Sequence, residues 1–383
     1  MSAHVGGAPP GSTPDLSVDL GPIALEHPLI DASGTFELLD YARRYDGDYI
    51  ADFPYAAYVP KTVTVDARTG NPAPRVTETP AGMINAIGLE NPGVRTWIGR
   101  LGEWAELRQP VIVSVGGNEP EQYAAVVAAL EEHLAAAMPD AAPSIEGYEL
   151  NISCPNVSSG LQIGADRTAT AEVVGACRAV TGRFLLAKLT PNVRDVTEIG
   201  AAALGAGADG LSLVNTFKAL VLDRDTLKPF LGNRTGGLCG PAIKPIALRM
   251  VAEVAQAFPE TPIVGMGGVL TGLDALEFIA CGAAAVAVGA ANFTAFEAPH
   301  RILAELREEL AARGFKSEPA QMRAVEALGR CATEWAAYKS QRSNALKKLI
   351  TRPELPRGVY MYGGVGRGKS FLMDLFFNAV PLR

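Results

Sequence analysis

Metal-binding side chains are scarce in this 383-residue chain, which has five cysteines (Cys154, Cys177, Cys239, Cys281, Cys331) and four histidines (His4, His27, His133, His300). No CxxC pair occurs and neither residue type clusters, so we expect no zinc site and no iron–sulfur site. An odd number of widely spaced thiols argues against a disulfide framework and for a reducing compartment. Long apolar runs are missing too. No uncharged stretch of 18 apolar residues occurs, so no membrane span is expected. The opening "MSAHVGGAPPGSTPD" lacks the basic and apolar parts of a signal peptide. It reads as a flexible lead-in, residues 1–15, to a soluble cytoplasmic protein. Excess positive charge is also absent: the net charge is −7, which argues against nucleic acid as a partner.

What is present is apolar residue in quantity, 48% of the chain. That suffices for one large barrel with an appendage. Short continuous apolar runs fall at 27–34, 57–62, 110–117, 147–153, 184–190, 209–216, 261–268 and 284–291. Runs that do not alternate fit parallel strands buried on both faces. Helix-like stretches, such as 119–137 and 242–257, lie between them. The pattern predicts an α/β fold, a (β/α)8 TIM barrel, with "LSVDLGPIALEH" as a hairpin closing its N-terminal end.

Polar residues and glycines gather at the C-terminal ends of these runs, the catalytic face of such a barrel. In "YELNISCPNVSSG" (148–160), Cys154 stands between Asn151 and Asn156. A thiol there can act as base or nucleophile, and the amides can orient a ligand rich in C=O and N–H groups. It can equally be a small buried thiol at a strand end. "GMGGVLTG" and "VGAANF" place Gly267, Gly268, Gly289 and Ala290 after the seventh and eighth strands, where barrels bind phosphate. Gly-Gly is also an ordinary turn. Lys61 and Lys188 end the second and fifth strands; they suit an anionic ligand, or are simply solvated.

Residues 16–312 resemble the dihydroorotate dehydrogenases, flavin enzymes of pyrimidine synthesis. The stretches that carry the resemblance include "DASGTF", "PKTVTVDARTGNPAPRVTETPAGMINAIGLENPG", "YELNISCPNVSSG", "AKLTPNV", "GADGLSLVNT" and "PIVGMGGVLTGLDALEFIACGAAAVAVGAANF". Cysteine at the base position resembles the soluble class 1 enzymes, and "NAIGLENPG" with "GGLCGPAIKP" resembles their 1B branch. The resemblance implies FMN and oxidation of dihydroorotate to orotate. It implies Cys154 as the base, Lys188 as the cation stabilising reduced flavin, and Lys61 facing both ligands. Asn85, Ala86, Ile87, Gly88, Leu89, Asn151, Asn156, Asn215 and Thr216 would hold substrate. Ser33, Lys61, Thr62, Asn151, Lys188, Val214, Gly240, Gly267, Gly268, Gly289 and Ala290 would hold FMN. The segment "PNVSSGLQIGAD" after the cysteine would be a lid. Two departures stand out. "VIVSVGGN" leaves open whether Ser114 or Asn118 supplies a polar group near the flavin, and Cys239 stands where relatives often have serine. The resemblance further implies a homodimer, with FAD and a 2Fe–2S cluster supplied only by a separate electron-transfer subunit if NAD is the acceptor. Fumarate as acceptor, another FMN barrel acting on a reduced pyrimidine, and a P-loop nucleotide-binding module are the alternatives.

Past residue 315 the charge reverses. Residues 316–383 hold 12 Lys/Arg against 5 Asp/Glu, and 1–315 hold 22 against 36. We place a domain boundary near "RGFKSEPAQ" (313–321), giving a barrel over 16–315 and a basic segment over 316–383. "GGVGRGKS", with Gly363, Gly368, Lys369 and Ser370, fits a P-loop between strand-like "GVYMY" and helix-like "FLMDLFF". The segment resembles the start of ZapE-like AAA-type ATPases. The remaining 13 residues hold no Walker B strand, so it is expected to be a vestigial, inactive fragment.

Overall fold

A computed structural model of the chain describes residues 15–38, 50–136, 144–153 and 163–313, with five more residues between 330 and 338. The chain divides into two compact units, one taking in Pro10–Ala312 and the other Arg313–Arg383.

The first unit opens with an antiparallel hairpin, β1 (Val18–Leu20) and β2 (Ile23–Leu25). It is followed by β3 (Leu29–Asp31), β4 (Val76–Thr79), β5 (Gly82–Asn85), β6 (Val111–Val115) and β7 (Ile145–Leu150). Then come β8 (Phe184–Lys188), β9 (Gly210–Leu213), β10 (Phe217–Leu220), β11 (Thr235–Cys239), β12 (Ile263–Met266) and β13 (Ala285–Val288). The helices are α1 (Val94–Ile98), α2 (Pro120–Ala136), α3 (Arg167–Arg178), α4 (Val196–Gly205), α5 (Lys244–Ala257), α6 (Gly272–Ala280) and α7 (Ala298–Arg313).

Seven strands form one parallel sheet in the order β3-β13-β12-β9-β8-β7-β6. All residues of β6, β8, β9, β12 and β13 are buried. That explains why they read as unbroken apolar runs. The second run, 57–62, forms no regular strand, a departure from the eight expected. Pro60 has no N–H to give to a ladder. The segment still joins the two free edges. Ala56 N–H donates to Leu29 O (2.9 Å), and the Asp31 carboxylate accepts from Val59 N–H (2.6 Å). On the other side, Tyr58 N–H donates to Pro110 O, Ile112 N–H to Tyr58 O and Val63 N–H to Ser114 O. The sheet thus closes into the expected (β/α)8 barrel.

Ile30, Val59, Ile112, Phe184, Leu186, Val264, Met266 and Ala287 form an inner core that also takes in Leu20, Ile23 and Leu25 of the hairpin. The hairpin therefore caps one end of the barrel. A larger apolar cluster, including Tyr148, Leu150, Leu185 and Leu211, lies between strands and helices. Two helices begin at capping aspartates. Asp166 accepts from Ala169 N–H at 2.8 Å before α3, and Asp195 from Thr197 N–H at 2.9 Å before α4.

A second sheet, antiparallel in the order β10-β11-β5-β4, was not anticipated. Its strands are short, and they sit inside segments that sequence assigned to motifs. It carries Asn85 at the end of β5 and Cys239 at the end of β11.

Candidate functional site

In a buried strand alternate side chains face the barrel axis. On β7 the outward Tyr148 and Leu150 leave Glu149, and Asn151 just beyond, facing inward. On β8 the inward set is Phe184, Leu186 and Lys188, and on β6 it includes Ile112 and Ser114. Polar inward residues therefore crowd the C-terminal ends of these strands, and their hydrogen bonds form one connected rim.

Thr62 is the hub of that rim. Its Oγ1 lies 2.9 Å from Ser114 Oγ and 3.3 Å from Ser33 Oγ, and accepts from Asn151 Nδ2 at 2.9 Å. Ser33 Oγ donates to Pro60 O at 3.0 Å. Asn215 Nδ2 donates to Ser153 Oγ at 2.8 Å, and its Oδ1 accepts from Thr216 N–H at 2.8 Å. Asn192 Nδ2 donates to Thr216 O at 3.0 Å. Five expected site residues, Ser33, Thr62, Asn151, Asn215 and Thr216, are thus brought together. Ser114 belongs to this buried rim. Asn118 is exposed, and its Oδ1 accepts from Arg68 at 3.4 Å. Of the two candidates on "VIVSVGGN", Ser114 is the inward one.

The stretch Asn85, Ala86, Ile87, Gly88, Leu89 leaves β5 as a loop pinned by Asn71, whose Nδ2 donates to Ala86 O and whose N–H donates to Ile87 O. Any Cβ placed on Gly116 would meet both Thr62 (2.8 Å) and Leu89 (3.5 Å), so this loop reaches the rim. Lys61 lies against Gly34. A Cβ there would come within 2.8 Å of Nζ, and the positive φ of +72° also favours glycine.

Past β12 and β13 the backbone forms a tight glycine floor. Gly267 and Gly268 both have positive φ, and a Cβ on Gly268 would strike Gly240 O at 2.7 Å. Gly267 abuts Val214, and Gly289 abuts Ala32, the neighbour of Ser33. A short 3-10 helix starts at Ala290. Backbone N–H groups at strand ends, a row of hydroxyls and amides, and two lysines make a donor set that fits a planar polar ring with a phosphate.

The sequence left Lys188 either a cation suited to an anionic ligand or a solvated side chain. The structure buries it, 5% exposed, with Nζ donating to Glu149 Oε1 at 3.1 Å. Glu149 Oε2 accepts from Ser212 Oγ at 2.9 Å. Neither Glu149 nor Ser212 was singled out from sequence. The available signal was a lone glutamate inside an otherwise apolar strand run, "GYELN", with a lysine on the next such run.

Burial pushes the Cys177 thiol up to about 12 and the Cys239 thiol up to about 11. Both stay protonated near neutrality and are poor bases. Cys239 also donates to Met83 O at 3.5 Å. Cys154 and Asn156 lie outside the described residues, as do Gly363, Gly368, Lys369 and Ser370. Among the described residues no group of three or more His, Cys, Asp or Glu could hold a metal ion. No helix among them is long and apolar enough to cross a membrane.

The comparisons with known proteins agree with this geometry. The family model "Dihydroorotate dehydrogenase" matches residues 15–310, and the model "AFG1-like ATPase" matches residues 301–383. The catalytic subunit of dihydroorotate dehydrogenase B (NAD+) from Geotalea daltonii is 44% identical over 303 residues, 79% of this chain and 95% of the relative. The corresponding subunit from Geobacter sulfurreducens is 42% identical over 315 residues, 82% of this chain and 99% of the relative. A crystal structure of DHODH from Eimeria tenella superposes with a TM-score of 0.65 at 21% identity, covering 81% of this chain and 89% of that one, and so shares the barrel fold. With the match running from the hairpin through β13 to α7, the chain belongs to the dihydroorotate dehydrogenase family.

Proposed function

We propose that the barrel, residues 16–315, oxidises dihydroorotate to orotate in pyrimidine synthesis, with FMN as its cofactor. The observation that carries this reading is 44% identity to a dihydroorotate dehydrogenase B catalytic subunit across 95% of that subunit's length. The connected polar rim supports it. FMN, when bound, supplies the acceptor for the hydride that leaves C6 of the substrate. Gly267, Gly268, Gly289 and Ala290 offer backbone donors to its phosphate, and Ser33, Thr62, Val214 and Gly240 line the remainder. Asn151, Asn215 and Thr216, with the loop from Asn85 to Leu89, hold the substrate's ring amides and carboxylate. Asn156, from the segment after the base, adds to that set. Cys154 takes the C5 proton on its sulfur as the C5=C6 double bond forms. Lys61 faces both ligands, and Lys188 supplies positive charge for the reduced ring.

The same reading includes a homodimer, a cytoplasmic location, and a separate subunit with FAD and a 2Fe–2S cluster passing electrons to NAD+. It assigns residues 316–383 no part in the chemistry.

The test is an anaerobic visible spectrum of the purified protein before and after dihydroorotate. We expect a flavin spectrum that bleaches on addition. Cys154→Ala should keep the flavin and lose at least 100-fold in bleaching rate, in line with about 10²–10⁴ for general base catalysis. A flavin that dihydroorotate leaves oxidised would move the substrate to another reduced pyrimidine.

A further inference from the structure

The carboxylate of Glu149 sits on the barrel axis, 3% exposed, with both oxygens engaged. Its partners come from the next two strands, Lys188 on β8 and Ser212 on β9. Strand register pairs Glu149 with Leu186 and Lys188 with Ser212. The Lys188 backbone therefore stands two residues nearer the mouth than that of Glu149. Its Nζ donates to that carboxylate at 3.1 Å, and an ammonium carries three protons to give.

A buried ammonium is costly without a counter-charge, and Glu149 supplies one. We propose that Glu149 is a positioning residue: it fixes the Lys188 ammonium in place beside the flavin site, with Ser212 fixing the carboxylate. The ion pair is then part of the flavin site and more than a brace of the barrel. A lysine free to swing away would leave the reduced ring without its cation. This inference rests on the reading of Lys188 as the flavin's cation.

The test is the midpoint potential of FMN bound to the full-length protein, measured for four variants at one pH. Lys188→Gln should lower the potential, because the anionic reduced ring loses a neighbouring positive charge. Glu149→Gln should lower it by more than half of the same shift, although the lysine is still present. Glu149→Asp keeps the carboxylate charge and should restore most of the wild-type value. Ser212→Ala should shift it in the same direction by less, and it carries the test if Glu149→Gln fails to fold. A potential in Glu149→Gln that equals or exceeds wild type, alongside a fall in Lys188→Gln, overturns the role of Glu149 alone. In that case Glu149 only offsets the lysine's field. No shift in Lys188→Gln overturns both readings. A purely structural role would lower thermal stability and leave the potential of the flavin-loaded protein where it was, which also counts against the proposal.

Discussion

At the scale of single residues, the clearest consequence of burial outside the site concerns His27, which enters β3. Only 7% of it is exposed, and its Nδ1 accepts from Leu29 N–H at 3.3 Å, which requires that nitrogen unprotonated. Burial, with the positive Arg307 nearby, pushes its pKa down to about 4. The unfolded chain would protonate this imidazole near 6.5. Its contribution is therefore complete above that value. Between 6.5 and 4 the unfolded state binds more protons, so stability falls as the pH drops. Over that window the loss approaches about 3 kcal/mol. Urea unfolding at pH 7 and pH 4.5 should show a larger drop for wild type than for His27→Gln. Equal drops would mean that the imidazole is protonated in both states or in neither.

Among elements, the join between β12 and α6 matters most, because the glycine floor of the site lies there. Thr271 and Asp274 form a reciprocal capping box at the start of α6. Asp274 Oδ2 accepts from Leu270 N–H (2.9 Å) and Thr271 N–H (2.8 Å), while Oδ1 meets Lys244, the first residue of α5. Lys244 also reaches Glu277 at 2.7 Å, and its Cβ would lie 3.0 Å from one placed on Gly268. One carboxylate thus ties both helices to the turn at Gly267 and Gly268. Asp274→Ala should cost about 2 kcal/mol, a lost cap plus a partly buried pair. It should also weaken FMN binding several-fold, as read by flavin retained on ultrafiltration. Protein that still holds flavin should bleach at close to the wild-type rate, since Asp274 touches no reacting atom. A stability loss with unchanged retention would separate the helix cap from the phosphate turn.

The same elements show what could be read in advance. The strands buried on both faces were legible because no polar alternation interrupts their apolar runs. The glycine turns were legible because their place after the last two strands is fixed by barrel topology. The segment 57–62 was misread, since closure there depends on single backbone bonds on either side of Pro60. Glu149 was missed for a different reason. In sequence it is one charge next to a conspicuous cysteine, and only the register of β7, β8 and β9 pairs it with Lys188 and Ser212. The second sheet was hidden because Asn85 and Cys239 drew attention as site residues, while their strands pair across about 150 intervening positions.

For the molecule as a whole, the open question of chemistry is where electrons go after substrate oxidation. Cys177, Cys239 and Cys281 are free thiols. Of the barrel thiols, Cys177 is buried, and burial raises Cys281 as well as Cys239. The proposed reading, with its separate electron-transfer subunit, separates the reaction into two halves. The isolated chain, mixed anaerobically with dihydroorotate and NAD+, should bleach once, release one equivalent of orotate per flavin, and form no more NADH than its flavin content. Adding an electron-transfer subunit with FAD and a 2Fe–2S cluster should turn that single event into continuous NADH formation at 340 nm. Sustained NADH formation by the chain alone would show direct transfer from its own flavin. Sustained turnover with fumarate would instead place it with the enzymes that need no partner. Repeating the assay on a chain cut after Arg313 assigns the basic segment. Equal bleaching by the shortened chain leaves residues 316–383 outside the reaction. Loss of flavin on truncation would mean that the segment supports the barrel after all.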